Sequence, residues 1–293
     1  MKTLAVANQK GGVAKSTLMV HLAYAAMERG QNVLLVDLDR QGSLSLSFTG
    51  RVEPGENEAC HAHRLFESPG EATQMIMPDQ VGERAWLIEA TPELGMVSAA
   101  GSASIWAPRQ HLKRMSDRFD LCLIDTPGAL SFSPPMTISA LVAADAVVCP
   151  FCVGFYEARA ISQLWAYLRR IKTQGYNRDL SLLGLVPSRV NVRSREEVGA
   201  LKLIHESFGD SILPVALTER AAVKQSIMRR RPVWQGVRGE THRRAAAEWR
   251  RATAYILDAL EDVVAGPSEA RNASPERGSD FTAFHGNANS RGD

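Results

Sequence analysis

Short apolar runs rich in β-branched residues recur along the chain, separated by longer segments with apolar positions three and four residues apart. Thr3 to Ala7, Val33 to Asp37, Trp86 to Glu89, Leu121 to Asp125, Ala146 to Phe151, Leu182 to Val186 and Ile212 to Val215 read as strands buried on both faces. Helices are expected at Ser16 to Arg29, Arg109 to Arg118, Pro135 to Ala143, Glu157 to Thr173, Arg195 to Phe208, Glu219 to Met228 and Glu240 to Val264. The expected fold is therefore α/β, a single doubly wound, mostly parallel sheet of about seven strands flanked by helices. Ligands of such a sheet sit on loops at the carboxyl ends of the strands.

Two segments break the pattern. Arg51 to Glu83 carries several Gly and Pro without clean periodicity and reads as a loop-rich excursion. After Gly266 the chain is polar and nearly free of aliphatic residues, so a domain is expected over residues 1–264 and a disordered polar tail over 265–293. Within the last helix Trp249, Ile256, Leu260 and Val264 recur at helical spacing, as a core stripe does.

Composition narrows the class. A 293-residue chain with 45% hydrophobic and 23% charged residues is not a mainly disordered, collagen-like or disulfide-framework protein. Cys60, Cys122, Cys149 and Cys152 are too scattered to staple a secreted scaffold, and the start lacks a long apolar core, so a cytoplasmic location is expected. No run approaches the ~18 apolar residues of a membrane span. The net charge of +2 hides an asymmetry: residues 158–251 hold nineteen Lys and Arg against eight Asp and Glu. The later helices then face a polyanion or simply form a solvated Arg-rich surface.

The strongest local signal is Asn8-Gln9-Lys10-Gly11-Gly12-Val13-Ala14-Lys15-Ser16-Thr17, placed between a strand and a helix. Adjacent glycines let backbone N–H groups approach phosphate oxygens, and the helix adds its positive N-terminal end. Lys15 is placed to reach β and γ phosphates, and the Ser16 hydroxyl to ligate Mg2+. Two acidic strand ends complete the chemistry. Val33 to Val36 runs into Asp37-Leu38-Asp39-Arg40-Gln41-Gly42, and Leu121 to Ile124 runs into Asp125-Thr126-Pro127-Gly128. An apolar strand ending in Asp delivers a carboxylate beside a metal while the rest stays buried, so Asp125 is expected near Mg2+ with Thr126 to Gly128 as a γ-phosphate switch.

Gln9 and Ala14 replace both outer glycines of the ordinary G-x-x-x-x-G-K-[ST] loop, and Lys10 is added. The loop thereby resembles the deviant Walker A sequence, K-G-G-x-G-K-[ST], of the ParA/MinD family of P-loop ATPases, a SIMIBI-like class. The D-x-D-x-Q-G segment and the run Ala146 to Pro150 extend the resemblance over roughly residues 1–264. It implies ATP and Mg2+ as cofactors, with Lys10 to Thr17 as the phosphate loop. It also implies an ATP-dependent homodimer in which Lys10 reaches the partner's phosphates. By the same resemblance Lys10, Lys15 and Asp39 are catalytic, Asp39 orienting the attacking water; Ser16, Asp37 and Asp125 serve the metal; Asn191 and Pro214 lie by the adenine. Arg189, Arg193, Arg195, Arg220, Lys224, Arg229, Arg230 and Arg231 are the candidates for contacts to nonspecific duplex DNA on the nucleoid.

The function so implied is partition of plasmid or chromosome DNA, with slow hydrolysis stimulated by a ParB-like, centromere-binding adaptor. The alternatives are an ATP-switched positioning protein for another cargo, and a nucleotide-gated binding module with negligible turnover. Two departures bear on turnover. Arg40 stands where the family has proline, and Ala14 stands where it has glycine, a costly exchange only if φ is positive there. The chain starts at the loop's own strand, without the helix-turn-helix extension of some plasmid homologues, so sequence-specific repression is not expected. Cys149-Pro-Phe-Cys152 evokes the Cys-x-x-Cys of related iron-sulfur carriers, but Cys149 falls in a strand and reads as a core thiol. His61 and His63 beside Cys60 read as an ordinary polar loop. MinD-type relatives end in a basic amphipathic membrane helix; here a polar tail stands in its place and no membrane partner is expected, although Arg243, Arg244, Arg250 and Arg251 are basic enough for one.

Overall fold

Alternating side chains send one set of residues to each face of a strand, and both sets here are apolar. In Val33 to Asp37, Val33 and Leu35 pack into one core while Leu34 and Val36 pack into the other. Such a strand needs helices on both faces. The computed structural model describes residues 1–68, 75–97, 102–130, 135–154 and 157–265. The strands are β1 (Lys2–Val6), β2 (Val33–Asp37), β3 (Asp79–Gly82), β4 (Ala85–Ile88), β5 (Leu121–Asp125), β6 (Ala146–Cys152), β7 (Ser181–Val190) and β8 (Leu217–Thr218). The helices are α1 (Lys15–Glu28), α2 (Ser43–Thr49), α3 (Ser102–Arg114), α4 (Met136–Ala143), α5 (Glu157–Thr173), α6 (Arg195–Phe208), α7 (Ala221–Met228) and α8 (Gly239–Ala265). The tail expected after residue 264 falls almost wholly outside the described residues.

The sheet has eight strands in the order β3-β4-β2-β5-β1-β6-β7-β8. All neighbours are parallel except β3 and β4, which form an antiparallel edge. Helices α1 and α8 cover one face; residues of α3, α4 and α5 form the core on the other. Residues of β2 and β5 stand side by side in register, ending with Asp37 beside Asp125. That register puts two carboxylates together at the carboxyl ends of two interior strands.

Three expectations differ from the structure. The sheet has eight strands rather than about seven, because polar Asp79–Gly82, inside the segment read as a loop, pairs with β4 at the edge. Ile212 to Val215 is not a strand: Ile212 makes one isolated bridge to Leu185, and pairing resumes only at β8. Pro214 has no N–H to donate, which interrupts the ladder there. Helix α3 spans Ser102–Arg114, where a helix was expected over Arg109 to Arg118, and it runs through Pro108, a residue that disfavours a helix interior. Burial of Ile105 and Ala107 against the core outweighs that local signal.

Helix α1 is fastened to the end of the fold through His21, which is fully buried. Its ring lies 4.2 Å from the Trp249 ring and 5.5 Å from that of Trp234. Nε2 accepts the Val233 N–H at 3.1 Å, so the ring proton sits on Nδ1 and is donated to Thr17 O at 2.8 Å. Burial lowers the pKa from 6.5 to about 4. A depressed histidine pKa means that the unfolded chain binds the proton more readily. The contribution to stability is therefore present above pH 6.5 and lost as the pH falls toward 4, to a total of about 3 kcal/mol. Denaturant titrations between pH 7 and 4 should show this loss, and His21→Phe should flatten it; an unchanged slope in the variant would remove His21 as its source.

Candidate nucleotide site

All the candidate chemistry sits where β1, β2, β5, β6 and β7 end. After β1 the chain turns at Asn8, whose side chain donates to Pro150 O at 2.7 Å and accepts the Lys10 N–H at 3.0 Å. That pair ties the start of the loop to β6. Gly12 (φ +74°) and Ala14 (φ +69°) are both left-handed, and α1 begins at Lys15 with no side-chain cap. Its first-turn N–H groups are thus left for an outside acceptor, which at a helix N-terminus is an anion. Gly128 closes the loop's other side: a β-carbon there would lie 2.8 Å from Gly11 N.

The basic groups are parked on protein atoms. Lys15, buried, donates from Nζ to Lys10 O at 3.0 Å. Burial lowers its pKa, while the charges of Asp125 and Asp39 oppose the shift. Lys10 Nζ is paired with the carboxylate of Glu157, the first residue of α5, whose side chain is 3% exposed.

The two acidic strand ends differ in how they are satisfied. Asp37 accepts the Ser45 N–H and hydroxyl, both at 2.8 Å, and the Asp39 N–H at 3.1 Å. Ser45 Oγ also accepts the Ala90 N–H at 3.0 Å, which joins α2 to the end of β4. Asp125 is fully buried, and neither of its oxygens has a hydrogen-bond partner of good geometry. Burial, with the neighbouring Asp37 charge, raises its pKa; nearby Ser16 and Lys15 act against this. An orphaned buried carboxylate facing a serine hydroxyl is a donor set suited to a hard divalent cation. Among the described residues no three His, Cys, Asp or Glu side chains converge on one point. The site therefore fits Mg2+, which takes one or two carboxylates and completes its shell with water and phosphate oxygens, and not an all-protein metal cage. His61 Nε2 lies 2.9 Å from Gly55 O and His63 Nδ1 3.0 Å from the Thr91 hydroxyl. Cys149 is fully buried in β6; Cys152 is half-buried, its Sγ 3.9 Å from Gly12 O.

A cleft of about 1130 Å3 opens over the loop, bounded by α1, α2 and α7, and Asp39 lines it. This volume suits a nucleoside triphosphate. The cleft also gathers Arg189, Arg220, Lys224 and Arg230, four of the eight residues expected to meet DNA. Arg220 pairs with Glu248 at 2.7 Å, Lys224 with Glu219 at 3.0 Å, and Arg230 donates to Thr49 O at 3.0 Å. Arg193 and Arg195 are exposed at the start of α6, Arg229 is exposed after α7, and Arg231 is half-buried. Asn191 and Pro214 do not line the cleft.

A family model described as an AAA domain matches residues 1–182. The chromosome-partitioning ATPase Soj of Thermus thermophilus is 32% identical over 258 residues, covering 85% of this chain and 95% of its own. Protein IncC of Escherichia coli is 30% identical over 270 residues, covering 89% and 70%. The chain belongs to the ParA family of ATPases. Among solved structures, cobyrinic acid a,c-diamide synthase of Mycobacterium smegmatis with bound ADP and magnesium superposes with a TM-score of 0.69 at 26% identity. That match covers 89% of this chain and 96% of the other. As a ParA-family member the chain has the fold of a P-loop ATPase. Among the described residues no helix is long and apolar enough to cross a membrane.

Several site residues escaped the sequence reading. Asn8 was quoted with the loop but given no role, Glu157 was only the first residue of an expected helix, and Ser45 sits in SLSLSFT, whose alternation looks more like a strand than helix α2. Gly128 was readable only as the last residue of a switch. For Ala14 the conditional is resolved: φ is +69°, a conformation that costs a residue with a β-carbon about 1 kcal/mol. Ala14→Gly should stabilise the nucleotide-free chain by about that amount in denaturant titrations, without weakening nucleotide binding. A loss of stability would mean that the alanine methyl contributes more than the strain takes away.

Proposed function

We propose that this chain is an ATP-switched DNA-partition ATPase that binds ATP with Mg2+ in the cleft, dimerises with ATP, and coats duplex DNA without sequence preference. The observation that carries the proposal is the juxtaposition of the two-lysine loop with the orphaned Asp125 carboxylate. The domain reading supports it as a working unit over residues 1–264, with 265–293 as an appended polar tail. Hydrolysis is slow and stimulated by a ParB-like adaptor bound to a plasmid or chromosomal centromere, and the protein resides on the nucleoid.

Each residue has a part. Lys15 leaves the Lys10 carbonyl for the β and γ phosphates, and the uncapped first turn of α1 donates its N–H groups to the same oxygens. Lys10 leaves Glu157 and reaches the phosphates of a second copy. Asp39 orients water for in-line attack on the γ-phosphorus; the new P–O bond forms as the bond to the ADP oxygen breaks. Ser16 and Asp125 would hold Mg2+ with Asp37 beside them, and the cation would neutralise charge on the phosphate oxygens. Arg193, Arg195 and Arg229, being exposed and outside the lining of the cleft, are the readiest of the eight basic residues to meet DNA phosphates.

The reading is tested by equilibrium binding to random-sequence duplex DNA with ATP, ADP or no nucleotide, across a salt series. Binding should appear only with ATP, weaken steeply with salt, and vanish in Lys15→Ala. Binding indifferent to nucleotide would overturn it. A nucleotide-gated module with negligible turnover is the second reading, favoured by the left-handed Ala14; it keeps ATP-dependent binding and shows no phosphate release when DNA and adaptor are added.

A further inference from the structure

β7 ends beside the phosphate loop, and its residues hold two successive carbonyls of that loop. Ser188, fully buried, sets its hydroxyl 2.8 Å from Val13 O and 3.0 Å from Phe151 O. Arg189 donates from Nη1 to Gly12 O at 2.8 Å, and its Nη2 pairs with Glu219 at 3.1 Å. In a trans peptide the carbonyl and the next N–H point in opposite directions. Holding the Gly12 carbonyl toward Arg189 therefore fixes the Val13 N–H on the opposite side. Holding the Val13 carbonyl toward Ser188 does the same for Ala14. These N–H groups are among the donors from which a phosphate cradle is built.

The backbone of Arg189 is itself left-handed, with φ +54°, a conformation that a residue with a long side chain adopts only where its surroundings impose it. Those surroundings are the loop on one side and Glu219 on the other. Glu219 also takes Lys224 of α7 at 3.0 Å, so a continuous chain of polar contacts runs from Gly12 to α7. The Arg189 guanidinium is thus engaged inside the cleft.

We infer that Arg189 is a positioning residue of the phosphate loop, acting through the Gly12 carbonyl with Glu219 setting its guanidinium, and not a contact to DNA. The inference rests on the nucleotide reading above and deepens it: one of the basic residues expected on the DNA surface serves the triphosphate instead. It acts on ground-state binding, because it orders donors that engage the phosphates before and during the reaction.

The test uses the full chain and three variants, Arg189→Met, Arg189→Lys and Arg189→Gly. Each is titrated with a non-hydrolysable ATP analogue and Mg2+, melted without nucleotide, and titrated with random duplex DNA at saturating analogue. Arg189→Met should bind the analogue more weakly by on the order of tenfold or more, and Arg189→Lys, which keeps one charged donor, should recover part of the loss. Arg189→Gly relieves the backbone strain and should melt no lower than the parent, yet bind the analogue as poorly as Arg189→Met. KM for ATP should rise by the same factor while kcat changes less, and DNA affinity at saturating analogue should hold. Unchanged analogue affinity in the variants, with weakened DNA binding, overturns the inference; so does a loss of affinity that only follows the melting temperature. A parent chain that binds no analogue overturns the nucleotide reading itself.

Discussion

Asp125→Asn is expected to raise the melting temperature of the nucleotide-free chain while lowering its Mg2+-dependent turnover on the order of 100-fold. Both effects follow from one geometry. Asp125 is fully buried, lies in register with Asp37, and has neither oxygen in a good hydrogen bond. In the absence of a cation that arrangement is unfavourable, because burial and a neighbouring like charge both disfavour the ionised form. The amide removes the charge at nearly constant volume, so the gain should be about 1–2 kcal/mol at neutral pH, a few degrees in Tm. The sign of its pH dependence is fixed. A carboxyl whose folded pKa is raised contributes stability that is complete below its unfolded pKa and is lost as the pH rises through the folded one. The advantage of Asp125→Asn should therefore widen as the pH climbs from acid through neutrality. With Mg2+ and ATP the order reverses, since the parent gains a cation that the variant holds poorly. Thermal melts with and without Mg2+-ATP, together with phosphate release, read both effects. A variant that keeps the parent's Mg2+ dependence would place the cation elsewhere.

The site and the fold were legible in the sequence to different depths. Strands β2 and β5 were readable because both of their faces are buried, which makes them uninterrupted apolar runs ending in an aspartate, and β1 and β6 because all but one terminal residue of each is buried. The phosphate loop was readable because its chemistry needs small residues and a lysine at fixed spacing within one segment. Edge elements were not: β3 is polar and pairs on one side only, and Pro214 hides where the last ladder resumes. Contacts between distant segments lay beyond any local pattern. Asn8 meets Pro150, Glu157 meets Lys10, and Ser188 meets Val13 across separations of 142, 147 and 175 residues. The basic helices show the same limit. An excess of Arg and Lys in residues 158–251 was plain, but only the fold divides it into residues turned into the cleft and residues left on the surface.

The ion pair between Lys10 and Glu157 should be visible as a stability coupling in the nucleotide-free chain. Glu157 has a side chain only 3% exposed, and one of its oxygens, Oε1, is buried without a partner; Lys10 is 40% exposed. Removing the lysine strands a buried carboxylate, whereas removing the carboxylate leaves a lysine that water can solvate. Lys10→Met should thus cost about 2 kcal/mol, below the 3–5 kcal/mol of a fully buried pair because one partner keeps part of its hydration. Glu157→Gln alone should cost less. The double variant should be more stable than Lys10→Met, since the charge left stranded is gone. The same four proteins separate stability from switching. Lys10→Met and the double variant should both fail to dimerise with ATP, because the lysine proposed to reach the partner is absent in each. Glu157→Gln should dimerise at lower ATP than the parent, because its Lys10 no longer has to leave a carboxylate before crossing. Denaturant titration and sedimentation against ATP concentration measure the two behaviours independently. Dimerisation in Glu157→Gln at unchanged ATP, with additive stabilities across the four proteins, would show that the pair neither holds the loop nor restrains its lysine.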